Sequence, residues 1–202
     1  MAVEFKKIIK DYSVSQKMKV SPISRKNWNV LRLHQAEDTY IAKGIIHVVG
    51  DDEMGASQMD KAFKNEVEII SALPAWWGLT LKDKFATGRF RVVITREIPH
   101  CKWAEYGGQF DKVLAKALHR QLGWLHRHRM AHNDLELKNI LLACDHSHAT
   151  IIDFEKATRN ATAAQKREDY RLLLATLREN ENTAGIGAHL EMLKRKTRRV
   201  QR

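Results

Sequence analysis

The stretch Met130–Asn160, MAHNDLELKNILLACDHSHATIIDFEKATRN, decides how this chain is read. It sets two carboxylates, Asp134 and Asp153, against the aliphatic runs NILL and TIID, with Asn139 between them. A carboxylate taken out of water without a partner is strongly disfavoured. Two explanations fit the pattern. Both aspartates could cap helices or turns, or their partners could be a metal ion and a phosphate that come from solution.

The flanking segments give that stretch a context. Upstream, Phe110, Val113, Leu114, Ala117, Leu118, Leu122 and Leu125 recur at helical spacing. They predict one apolar face of a long helix that stops near Arg129. NILL and TIID predict two short strands around ACDHSHA, and helices follow near 163–179 and 184–198. The first half reads differently. WNVLRLHQ and TYIAKGIIHVV, separated by AED, predict a strand pair, and LTLKDKF and RFRVVITREI predict two more strands with ATG at the turn. Between these pairs, Phe63, Val67, Ile70 and Leu73 mark a helix that Pro74 stops. A strand-rich first half joins a helical second half near 97–103. The expected class is therefore α+β, two unequal lobes with a cleft between them.

Composition narrows the class of protein. The chain has 202 residues, 44% of them hydrophobic and 29% charged, which is ordinary for a globular protein. No apolar run approaches the roughly 20 residues a membrane span needs. The opening MAVEFKKIIKDY is charged throughout and lacks the form of a secretory signal. Cys101 and Cys144 have neither CxxC nor zinc spacing, which leads to the expectation of a reducing compartment. The net charge is +11, with a sequence pI near 9.7. That balance favours anionic partners without choosing among nucleotides, nucleic acid, acidic proteins and lipid head groups. Much of the excess lies in LKRKTRRVQR, which also reads as a solvated helical tail.

Four motifs then fall in a meaningful order. YIAK lies on a strand, NEVEII on the next helix, HNDLELKN after the long helix, and IIDFE at the end of a strand. This order resembles the protein-kinase-like superfamily, over roughly residues 28 to 175. The resemblance implies a bilobal kinase fold: an N-lobe over 1–98 with an antiparallel sheet and one helix, a reduced C-lobe over 99–180, and a basic helical tail over 181–202. It also implies ATP and Mg²⁺ as cofactors. Lys43 would meet the α- and β-phosphates, and Glu66, preferred over its neighbour Glu68, would aim Lys43. Asp134 would act as the catalytic base, and Asn139 and Asp153 would ligate magnesium. Asp169 resembles the superfamily's aspartate that braces the catalytic loop, the alternative being a surface acid. His132 is expected to support the loop.

The departures from the pattern are informative. No G-x-G-x-x-G precedes Lys43. The candidate phosphate loop is SPISRKN, where Ser24, Arg25 and Lys26, with Ser21, would contact phosphate through side chains. HND replaces H-R-D, so Asn133 stands where an arginine would receive an activating phosphate. DFE replaces D-F-G, and no A-P-E follows, so the segment after Glu155 runs almost directly into the next helix. The chain therefore resembles a minimal, atypical bacterial kinase. HNDLELKN looks like the effector-type and RIO-like protein kinases. IIDFEKATRN, with its acid–lysine pair, looks like the kinases of lipopolysaccharide core sugars.

The expected reaction is transfer of the ATP γ-phosphate to a hydroxyl, first to protein Ser/Thr, including autophosphorylation, with a lipopolysaccharide core sugar as the alternative. A non-catalytic pseudokinase or interaction module is the alternative of another class. The expected partners are ATP and a protein or anionic glycolipid acceptor, with peripheral membrane contact through the basic tail. No specific nucleic-acid binding is expected. A monomer is expected, in the cytoplasm, with delivery into a host cell left open. A metal site at Cys144, His146 and His148 is the disfavoured reading of that histidine-rich turn.

Overall fold

The computed structural model describes residues 2–23, 29–46, 53–101, 112–145 and 147–178. The chain divides into two compact units at Glu97 and Ile98.

The first unit opens with a helix that the sequence reading did not assign. Phe5 and Ile9 are fully buried and Ile8 and Tyr12 partly so, a spacing of three and four that gives α1 (Ala2–Ser15) one apolar face. Then come β1 (Lys19–Pro22), β2 (Val30–Gln35), β3 (Asp38–Ile46), α2 (Glu53–Ala72), β4 (Leu81–Thr87) and β5 (Phe90–Arg96). The five strands form one antiparallel sheet in the order β1-β2-β3-β5-β4.

Alternation explains how this sheet is covered. On β3, Tyr40 and Ala42 belong to the core that includes Phe5 and Ile9, whereas Lys43 pairs with Glu66 of α2. Successive side chains point to opposite faces, so α1 and α2 cover opposite faces of the sheet. That is why β5 reads as the near-continuous apolar run FRVVIT, with Phe90, Val92, Val93 and Ile94 all buried. Gly44 is required by the close approach of α1: a Cβ there would lie 2.5 Å from the Phe5 ring. The four strands expected from sequence are β2, β3, β4 and β5, and β1 is additional. Trp77 is buried in the unit, so it serves packing, while Trp76 is 40% exposed.

The second unit contains α3 (Lys112–Arg127), β6 (Met130–Ala131), β7 (Ile140–Leu142), β8 (Ala149–Ile151), β9 (Thr158–Arg159) and α4 (Ala163–Arg178). Leu114, Leu118, Leu122 and Leu125 of α3 are fully buried or nearly so. Val113, expected on that face, is instead 49% exposed, because it is one position out of phase with Leu114. Phe110 and the tail over 181–202 lie outside the described residues. The strands here are two or three residues long, in two antiparallel pairs, β6–β9 and β7–β8.

Buried polar groups set these short strands. The Gln121 amide on α3 donates to the Ala149 carbonyl and accepts from the Ile151 N–H, at 2.8 Å each, fixing β8 to the helix. Thr162 and Gln165 form a reciprocal cap at the start of α4: the Gln165 N–H donates to the Thr162 hydroxyl, and the Thr162 N–H donates to the Gln165 side chain. The expectation of reduced cysteines is corrected. Cys101 and Cys144 form a disulfide, their Cα atoms 5.1 Å apart. The Cys101 N–H donates to the Leu142 carbonyl, which brings together two residues separated by 43 positions.

Candidate active site

In the first unit, β3 and α2 bring Lys43 and Glu66 together. Their charged atoms lie 3.8 Å apart, with the Glu66 side chain 5% exposed. A buried carboxylate needs such a cation. Glu68, the alternative, pairs with Lys64 on the same helix. The phosphate-loop candidates Ser24, Arg25 and Lys26 lie outside the described residues. Ser21 and Pro22 belong to β1 rather than to a loop, and the Ser21 hydroxyl is bonded to the His34 ring at 2.9 Å.

In the second unit, one buried carboxylate organises the turn that carries the candidate base. Asp169 of α4 is fully buried and accepts from the His132 and Asn133 backbone N–H groups at 2.8 and 2.7 Å. The His126 ring lies 2.9 Å from the same carboxylate. The role expected of Asp169 as a brace, rather than a surface acid, matches this geometry. His132 is also buried, and its Nε2 donates to the Ile152 carbonyl at 2.9 Å. Burial pushes its imidazole below the usual range, so it is a neutral donor that ties the base loop to the strand end bearing Asp153.

The Asp134 carboxylate meets two side chains. Its Oδ2 accepts from the Asn139 amide at 3.1 Å, and its Oδ1 accepts from the Lys156 ammonium at 3.0 Å. The Asn139 amide also donates to the Asp134 carbonyl at 2.8 Å. Burial raises the Asp134 pKa, but the Lys156 ammonium, helped by Lys138 and Asn139, outweighs it and holds the carboxyl below its ordinary value. Asp134 is therefore ionised at neutral pH, the state a proton acceptor needs.

Asn139 and Asp153 are neighbours across a ladder. Asn139 ends a single helical turn (Leu137–Asn139) directly before β7, Ile140 pairs with Ile151, and the Ile152 N–H donates to the Asn139 carbonyl at 2.9 Å. Asn139 spends its amide nitrogen on Asp134, so its side-chain oxygen remains as a ligand. A carboxylate and an amide oxygen form a hard donor pair that fits Mg²⁺. The sharp turn falls at Asp153 itself, whose φ is 68°. Glu155 has no positive φ, so the glycine missing from DFE is not needed there.

The segment after Asp153 is pinned rather than open. The Asn133 amide donates to the Lys156 carbonyl and to the Thr158 hydroxyl, both at 2.9 Å. β9 pairs with β6, and the Ala161 N–H donates to the Arg129 carbonyl. Asn133 thus joins the loop to this segment directly, where an arginine would need a phosphate. Lys156 is the residue that sequence reasoning passed over. It was seen as half of an acid–lysine pair, but only the folded turn shows that it reaches Asp134. In the histidine-rich turn, Cys144 is committed to the disulfide and His148 to Ser147, while His146 lies outside the described residues.

Residues 97–191 match the model of the lipopolysaccharide kinase (Kdo/WaaP) family. No curated protein matches the sequence. Among solved structures, monomeric WbdD is similar with a TM-score of 0.59 and 15% identity, over 75% of this chain and 37% of that one. A structure of the bifunctional kinase-methyltransferase WbdD gives a TM-score of 0.56 and 14% identity, over 87% of this chain and 44% of that one. The chain thus spans less than half the length of these structures.

Proposed function

Starting from a protein-kinase-like fold, we propose that this protein is an ATP- and magnesium-dependent phosphotransferase whose acceptor is a sugar hydroxyl on an anionic glycolipid. The observation that carries the reading is the second unit's constellation: Asp134 ionised between Lys156 and Asn139, with Asn139 tied by its backbone to the strand end that bears Asp153. The match of residues 97–191 to the lipopolysaccharide kinase family favours the sugar over the protein Ser/Thr acceptor. The short segment from Asp153 to Thr162, bonded to Asn133 and to β6, agrees with that preference. A protruding hydroxyl asks less of the protein around it than an extended peptide does.

The residues divide the work as follows. Asp134 accepts the proton of the attacking hydroxyl. Asn139 keeps the Asp134 carboxylate in place through its amide and, with Asp153, would hold the metal. When bound, Mg²⁺ neutralises charge on the phosphates. Lys43, aimed by Glu66, would bind the α- and β-phosphates. Lys156 stabilises the ionised base and places a cation beside the oxygen that is losing its proton. Phosphoryl transfer depends mainly on such positioning and charge compensation.

The test is incubation of the full chain with γ-labelled ATP and Mg²⁺, supplying purified lipopolysaccharide in one arm and cell protein in the other. Label in the glycolipid, lost in Asp134→Asn, is the expected result. Label confined to protein would restore the Ser/Thr reading. ATP binding with no transfer in either arm would make the protein a pseudokinase.

A further inference from the structure

The outer face of α1 has no role in the chemistry above, yet its residues are sorted. At about 100° per residue, Val3, Lys6, Lys10 and Val14 fall within an arc of about 80°, with Lys7 at its edge. All five are exposed, Val3 by 82% and Val14 by 70%. The acids of the helix, Glu4 and Asp11, lie beyond that edge, and Glu4 is already paired with Arg89. Beside the arc runs a groove of about 480 Å³, floored by Ser13, Met18 and Leu31, rimmed by Val14, Val20 and Pro22, with Lys6 and Lys10 also lining it. Val20, which shares the α1 side of β1 with Pro22, is 37% exposed, and Lys17 in the turn after α1 is a further exposed cation.

We infer that this face docks on a bilayer surface rich in anionic phospholipid. The lysines meet head-group phosphates, while Val3, Val14 and Val20 enter the boundary of the acyl region. A purely acidic protein partner would leave the valines and the groove unused, and a purely apolar partner would strand the lysines. Interleaved lysine and apolar side chains on one helix face satisfy both demands of an anionic lipid interface. The inference does not depend on the proposed phosphotransfer, since binding is measured without ATP.

The experiment is co-sedimentation of the full chain with phosphatidylcholine vesicles, with and without phosphatidylglycerol. Each lysine at such a surface contributes about fivefold in partition. Lys6→Gln/Lys10→Gln should therefore lower binding to the anionic vesicles about 25-fold. Lys84→Gln/Lys116→Gln, the same change of charge on other exposed positions, should alter it less than about twofold. Val14→Ser should weaken binding without changing its salt dependence, and an unchanged thermal melt shows that these surface changes leave the fold intact. Four results would overturn the inference: equal binding to neutral vesicles; equal losses in the α1 variant and its control; loss only on reversing tail charges, as in Arg195→Glu/Arg199→Glu; or an α1-dependent dimer that pellets without vesicles.

Discussion

The two units hold their candidate site residues by different physics. In the first, Lys43 and Glu66 are presented by a sheet covered on both faces, and the frame is apolar: Phe5, Ile9, Leu33, Phe90 and Ile94 are all but fully buried. In the second, the strands are two or three residues long and cannot impose a register by themselves. Asp169, Gln121, His132 and Asn133 do so, through hydrogen bonds aimed at backbone groups. An apolar frame tolerates exchange of residues of similar volume. A polar frame requires particular atoms at particular places. The polar frame also absorbs departures from the kinase pattern: Asn133, in place of an arginine, donates to the Lys156 carbonyl and the Thr158 hydroxyl, and Glu155, in place of a glycine, needs no positive φ.

The contrast can be broken most severely at Asp153. Asp153→Ala should reduce transfer by about a thousandfold or more, roughly 4 kcal/mol of barrier, while the urea midpoint stays close to wild type. A comparable fall in both would make Asp153 part of the frame rather than of the chemistry. Next comes a matched pair. Phe5→Ala should destabilise the first unit by about 3–5 kcal/mol through the cavity it leaves, yet change kcat of the folded enzyme less than about threefold. Asp169→Asn should cost less stability, about 1–3 kcal/mol for a buried donor left unpaired, but lower kcat more than about tenfold. Denaturant titration beside kcat on the same samples measures both. The comparison fails if the two variants trade places.

The smallest effect sharpens the point. Burial depresses the His132 pKa below 6.5, so the unfolded chain takes up a proton that the folded chain refuses. Stability from this group is present above 6.5 and is lost as pH falls below it, with a slope of at most about 1.4 kcal/mol per pH unit. Denaturation at pH 7.5 and 5.5 should show a loss at the lower pH that is smaller in His132→Gln. An identical pH dependence in the two proteins would mean that His132 does not carry this proton linkage.

How much was legible follows from the same distinction. Asp134, Asn139 and Asp153 stood out as candidates because HNDLELKN and IIDFE keep the order and spacing of the kinase-like motifs. β2 to β5 could be read because alternation in a sheet leaves a periodic trace. The helix α1 was missed although Phe5, Ile8, Ile9 and Tyr12 keep helical spacing, because interspersed lysines hide an apolar face when a stretch is judged by its charge. The disulfide was missed because its halves lie 43 positions apart. Lys156 was visible as a letter, but its reach to Asp134 depends on the turn at Asp153, where a non-glycine residue takes a positive φ.

The brace supplied by α4 has a consequence for the order in which the chain is made. The loop at His132 and Asn133 waits for a carboxylate 37 and 36 positions further on, and the Leu135 carbonyl waits for the Thr176 hydroxyl 41 positions on. During synthesis, every residue assigned to the phosphates, the metal and the base leaves the ribosome before the groups that hold the base's loop. Closing loops of that length costs chain entropy that local contacts cannot offset beforehand. A nascent chain would thus carry the full set of motif letters for some time before it had the geometry to use them, and competence would arrive with α4 rather than with the last of the candidate site residues.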